Sequence, residues 1–280
     1  MPTTRQNASS RSAGATNVDT AVPAGRRMTP NAIPLLEFDP VERAMINPRR
    51  PRSLVSFPER AVITWFGDLV AEQALALEPI HRVVYEHGDH PIYVVDHDGS
   101  EIALVLAPVG APAAVGALEV LIACGATKVI GCGGAGIIRS GFDVGHVIVP
   151  TGAIRDEGTS YHYLPADVAV APHPLALATI DAVLAESGVP FDHGMTWTTD
   201  AYYRETPAKV ARRVAQGCIT VEMEASAMFA VASFRNAVYG QLLYAGDDVS
   251  AEEWDHRDWQ TQPGARARLL GLAMSAAARL

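Results

Sequence analysis

Residues 128–136 read KVIGCGGAG, and the interpretation of that run decides the architecture. Residues 128–131 form an apolar strand that runs into a glycine cluster. Gly131, Gly133 and Gly136 satisfy G-x-G-x-x-G after a strand, and Asp156 lies twenty residues beyond Gly136, so the spelling is that of a dinucleotide fingerprint. That chemistry requires a helix starting at the cluster, with its N-terminus facing the pyrophosphate. The chain instead continues as IIRSGFDVGHVIVP (137–150), where Gly141 and Gly145 break any helix before a new strand. Two expectations remain. Either the glycines let chain segments approach closely, or they wall a pocket with bare amides facing a sugar or an anion.

Working outward, AVITWF (61–66) reads as a buried strand, followed by a helix over 68–78 with Val70, Leu75 and Leu77 inward. Strands at 92–96 and 102–106 flank the turn HDGS (97–100). Helices at 113–124 and 174–187 close on Gly125 and Gly188. Further strands fall at 146–150, 220–222 and 238–245, and further helices at 225–235 and 265–279. This interleaving predicts an α/β fold with a largely parallel sheet.

Composition bounds the function. Of 280 residues, 49% are apolar and 19% charged, enough to fill a large core. No run of eighteen apolar residues occurs, so no conventional membrane span is expected. The net charge of −9 argues against nucleic acid as a partner. Three scattered cysteines argue against a disulfide framework or a structural zinc site. His81, His87, His90 and His97 do not share a helix face, and no metal is expected. Residues 1–53 hold eight arginines against four acidic residues, and the first thirty or so have few large apolar side chains. Residues 1–32 are therefore expected to form a disordered arm; Pro23 and Pro30 argue against a mitochondrial presequence, and a secretory signal's apolar stretch is missing. The segment IPLLEFDP (33–40) is expected to dock on the edge of one domain spanning 33–280, and the setting is expected to be cytoplasmic.

Five segments in order carry a resemblance to one family. They are PVGAPAAVGALEVL (108–121), VIGCGGAG (129–136), GHVIVPTGAIRDEGTSYHYLP (145–165), TWTTDAYY (196–203) and VEMEAS (221–226), with Gly246-Asp247-Asp248 near the end. Together they resemble the uridine and purine nucleoside phosphorylases over roughly residues 60–280. The resemblance implies a three-layer α/β/α sandwich with a mixed, mostly parallel, partly barrel-like sheet, assembled as a dimer or a trimer of dimers. It implies a nucleoside substrate, inorganic phosphate as co-substrate, and no other cofactor.

The chemistry explains the residues. Cleaving a nucleoside's C1′–N bond develops positive charge on the sugar and negative charge on the base, and rate comes from recognising that change. The resemblance implies that Glu224 accepts hydrogen bonds from the ribose hydroxyls, Met223 packs on the sugar and Glu222 supports the site. Asp247 is implied to be the general acid at the base, with Asp248 as the alternative, and Tyr202 stacks on the base. Gly67, Gly110, Cys132, Gly133 and Gly134 are implied to line the acceptor side. Trp254 and Trp259 are read either as a lid or as peripheral packing.

The acceptor side departs from the family. The three phosphate-binding arginines correspond to Ala71, Val129 and, approximately, Gly88, and the glutamate of the hydrolytic nucleosidases is also replaced by Ala71, with Glu72 one residue off. Arg139, Arg155 and Arg204 are candidate replacements. Phosphorolysis is the leading expectation, with a hydrolytic nucleosidase and a non-catalytic nucleoside binder as alternatives.

Overall fold

The computed structural model describes residues 28, 30–86 and 88–280; most of the expected N-terminal arm, and His87, lie outside the described residues. In chain order the strands and helices are β1 (Arg60–Thr64), α1 (Gly67–Ala74), β2 (His81–Tyr85), β3 (Gly88–His97), β4 (Ser100–Leu106), α2 (Ala111–Cys124), β5 (Lys128–Ile137), β6 (Val147–Asp156), α3 (Pro174–Ser187), β7 (Phe191–Thr199), α4 (Pro207–Ala215), β8 (Cys218–Glu222), α5 (Ala225–Phe234), β9 (Val238–Asp248) and α6 (Pro263–Arg279).

The nine strands form one mixed sheet, ordered β2-β3-β4-β1-β5-β8-β7-β6-β9, and an additional β5–β9 pairing closes its second half into a barrel. Parallel pairs join β1 to β4 and β5, β5 to β9, and β7 to β6 and β8, while the β2–β3–β4 meander, β5–β8 and β6–β9 are antiparallel. Two apolar layers cover the sheet. One packs α2 and α5 around Leu118, Leu121, Met228 and Phe229, and the other packs α3 and α6 around Ile180, Leu184, Leu269 and Met274. The expected three-layer α/β architecture is the one observed.

Local details differ from the sequence reading. The glycine cluster lies inside β5 and is not a loop entered by a strand, which also removes the dinucleotide geometry. Side chains are tolerated at few of its positions because aromatic rings fill the space: the Tyr239 hydroxyl sits against Gly131, and a Cβ on Gly134 would lie 3.0 Å from the Tyr244 ring. Asp156, which completes the fingerprint's spelling, is bound to Arg213, Lys209 and the Trp197 indole. Helix α1 stops at Ala74, and Leu75, expected inside, is 88% exposed. Strand β2 and helix α4 have no counterpart in the sequence reading. The segment after Asp248 forms no α-helix before α6. The 33–40 segment does dock, through a 3-10 turn (Pro34–Leu36) whose Leu35 reaches Gly158.

Candidate active site

The C-terminal ends of β1, β5, β8 and β9 meet where the sheet changes partners. On one edge of β5 the pairing with β1 ends at Cys132, and the antiparallel pairing with β8 begins only at Gly136. Residues 133–135 therefore have no strand partner on that edge. Such a switch leaves backbone groups and strand ends facing a common crevice.

The turn from β8 into α5 fills one side of this crevice with two buried carboxylates. Glu222 accepts hydrogen bonds from Thr198 Oγ1 at 2.6 Å, Thr196 Oγ1 at 3.4 Å, and the backbone N–H groups of Glu224 and Ala225 at 2.7 and 2.6 Å. Burial raises its pKa, and the four donors oppose that rise. Glu224, only 7% exposed, accepts the Gly110 N–H at 2.5 Å, and the Met223 backbone also donates to it. Gly110 has φ +98°, a conformation that glycine adopts without strain, and this aims its amide at the carboxylate. Burial, followed by the neighbouring charge of Glu222, pushes Glu224 up to about 8. Met223 is half-buried between the two. Both acids are buried, unlike carboxylates that merely solvate a helix start.

A third carboxylate, Glu157, was not singled out in the sequence. It accepts from Ser226 Oγ at 2.8 Å and from the N–H groups of Thr159 and Ser160, so it ties the 221–226 turn to the 156–160 loop.

The two aspartates at the end of β9 have different surroundings. The Asp247 carboxylate lies against Gly136, 3.3 Å from where a Cβ would stand, and accepts the indole N–H of Trp254 at 2.7 Å. Its charge, after burial, raises Glu205 to about 7, so a second carboxyl group faces the same space. Asp248 is consumed by an ion pair with Arg257 and by the Ser250 N–H. Trp254 is 62% exposed and makes its contact with Asp247 from the segment between β9 and α6, whereas Trp259 packs against Gly246. Glu205 had no motif to mark it; only its position three residues after Tyr202 was a signal.

The Tyr202 ring is half-exposed and packs on Tyr203 at 4.2 Å. On the acceptor side, Gly67 opens α1, and Cys132 is fully buried, with its thiol pushed up to about 12 by burial. The Trp65 ring covers Gly133, 3.0 Å from where a Cβ would stand, and its indole donates to the Pro108 carbonyl. The replacement arginines divide. Arg155 is unavailable to an anion: it donates to Ser160 Oγ and to the carbonyls of Leu164, Pro165 and Val168, while lying over the Tyr161 ring. Arg139 and Arg204 are exposed. A cavity of about 520 Å³ is lined by Leu35, Val115, Thr159, Tyr163 and Asp200 among others, and not by Glu222, Glu224 or Asp247. Among the described residues, no cluster of three or more His, Cys, Asp or Glu could hold a metal.

Comparison with known proteins gives a consistent result. Residues 59–276 match the profile of the family described as the Phosphorylase superfamily. A guanosine phosphorylase of Halorubrum lacusprofundi is 26% identical over 180 residues, covering 62% of this chain and 75% of its own length. A uridine phosphorylase of Thermococcus kodakarensis is 35% identical over 124 residues, 44% of either chain. Among solved structures, a purine nucleoside phosphorylase from Toxoplasma gondii superposes with a TM-score of 0.70 at 18% identity, covering 85% of this chain and 98% of that one, a likeness of fold.

Proposed function

The chain belongs to the phosphorylase superfamily, and on that premise we propose that it cleaves the N-glycosidic bond of a nucleoside and transfers the ribosyl group to inorganic phosphate. The observation that carries this reading is the pair Glu222 and Glu224, buried in the 221–226 turn beside the unpaired edge of β5. Glu222, held by four donors, fixes the turn. Glu224, with backbone donors alone, keeps acceptor capacity for the ribose hydroxyls and sets a carboxylate near the forming cation. Met223 packs on the sugar between them. Asp247 protonates the departing base, and Tyr202 closes over it.

With hydrogenphosphate as acceptor the reaction balances. The C1′–N bond breaks with its electron pair going to the base, a phosphate oxygen joins C1′, and the phosphate's proton ends on the base by way of Asp247. Gly67, Gly110, Gly133 and Gly134 bound the space for the acceptor. The enzyme is on this reading a pentosyltransferase. Assembly as a dimer or trimer of dimers is supported by the exposed Val41, Met45, Ile46 and Val55, and a cytoplasmic setting suits three free, buried thiols.

Hydrolysis by water is the second reading. It is favoured by one observation, the replacement of the family's phosphate-binding arginines by Ala71, Val129 and Gly88. Chromatography of a purine and pyrimidine nucleoside panel, with and without phosphate, separates the two. Base release that requires phosphate and yields a sugar phosphate is the expected result. Release indifferent to phosphate assigns the hydrolase, and no release at all assigns a binder.

A further inference from the structure

A dianionic acceptor needs charge-assisted contacts, and one largely buried guanidinium stands beside the acceptor side without a role so far. Arg266, on α6, has only 15% of its side chain exposed. Its Nη2 donates to Asp68 Oδ1 at 2.5 Å, its Nη1 donates to the Gln260 carbonyl at 3.3 Å, and its Cζ lies 5.0 Å from the centre of the Phe66 ring. Those two hydrogen bonds leave three of the five guanidinium N–H donors unspent. Asp68 directly follows Gly67, and its own side chain is 53% exposed. Phe66 also touches Tyr244, at 5.9 Å between ring centres, and Tyr244 is the ring that covers Gly134. Arg266, Phe66, Tyr244 and Gly134 thus form one continuous line of contacts from the start of α1 to the β9 side of the β5 glycines.

We propose that Arg266 is the residue that binds the acceptor phosphate, parked on Asp68 until the anion arrives; the inference rests on the phosphorylase reading above. The exchange is physically reasonable. Asp68 offers a monodentate, half-exposed carboxylate, which holds a cation weakly. A phosphate dianion offers twice the charge and a pair of oxygens matched to the guanidinium fork. Stacking on Phe66 fixes the plane of the fork, so little orientational freedom is lost on binding. The cation reaches the acceptor from the C-terminal helix, a different direction from the three replaced positions, and the chemistry it meets is the same.

The test is steady-state kinetics on the full chain, varying inorganic phosphate and nucleoside in turn, for wild type, R266Q, R266K and D68N. R266Q is expected to raise the KM for phosphate about tenfold or more, the scale of one charge-assisted contact, while the KM for nucleoside moves less than about twofold. R266K is expected to recover part of the loss, as a point charge without the fork. D68N, which releases Arg266, is expected to lower the phosphate KM. An unchanged phosphate KM in R266Q, or equal rises for both substrates, overturns the proposal. Should R266Q fail to fold, D68N decides alone, and a phosphate KM that is unchanged or higher counts against it. Failure of the underlying reading looks different: wild type itself then releases base without phosphate.

Discussion

On the proposed reading Glu224 grips the sugar, and its ionisation makes that assignment testable. Its pKa of about 8 lies above the ordinary carboxyl value because burial and Glu222 disfavour the charge. The clamp on the sugar diol needs the carboxylate, so kcat/KM is expected to rise with pH through about 8 in the free enzyme. The sign for stability is opposite. A folded pKa above the unfolded one means that the protonated form stabilises the fold below about 4.5, and that this contribution fades as pH rises through about 8. E224Q keeps the Gly110 contact without the charge. It is expected to lose roughly 100- to 1,000-fold in kcat/KM, the scale of one oxyanion-hole donor, yet to melt higher than wild type at about pH 9. Near-wild-type turnover by E224Q would falsify the ribose-clamp assignment, as would a flat profile between about pH 6 and 9.

Strand β9 shows why an element, not a residue, separates Asp247 from Asp248. Successive strand residues point to opposite faces, so neighbours in sequence meet different environments. Asp247 faces Gly136 and Glu205, and Asp248 faces Arg257 and Ser250. D247N is expected to collapse purine nucleoside turnover with little change in melting temperature. D248N leaves the half-buried Arg257 short of its partner and is expected to cost about 3 kcal/mol of stability, measured by denaturant unfolding, with turnover per folded molecule retained. Loss of turnover in D248N alone would exchange their roles. The spelling GDD could not make this distinction, because the partners that decide it lie on β5, on the turn after Arg204, and on the segment before α6.

For the whole molecule, the 41–55 segment exposes Val41, Met45, Ile46 and Val55. Met45 and Ile46, adjacent and both almost fully exposed, are the apolar pair that an interface would cover. Sedimentation or light scattering on the full chain is expected to give a dimer or a multiple of dimers, and a double change of Met45 and Ile46 to serine is expected to shift it toward monomer. A monomeric wild type at working concentration removes this expectation without touching the site.

The sequence determined the alternation of elements, the ends of α2 and α3 at Gly125 and Gly188, and the carboxylates of the 221–226 turn. Periodicity, cap glycines and a contiguous motif made these legible, and all three are local signals. It could not show that the glycines of 131–134 are occupied by Tyr239, Trp65 and Tyr244, that Arg155 is spent on carbonyls, or that Arg266 meets Asp68 across 198 positions. Those facts belong to contacts between distant segments, and only closure of the barrel and the docking of α6 bring them together. Charge and shape at a site depend on neighbours in space, and the order of residues along the chain does not encode that proximity in any short motif.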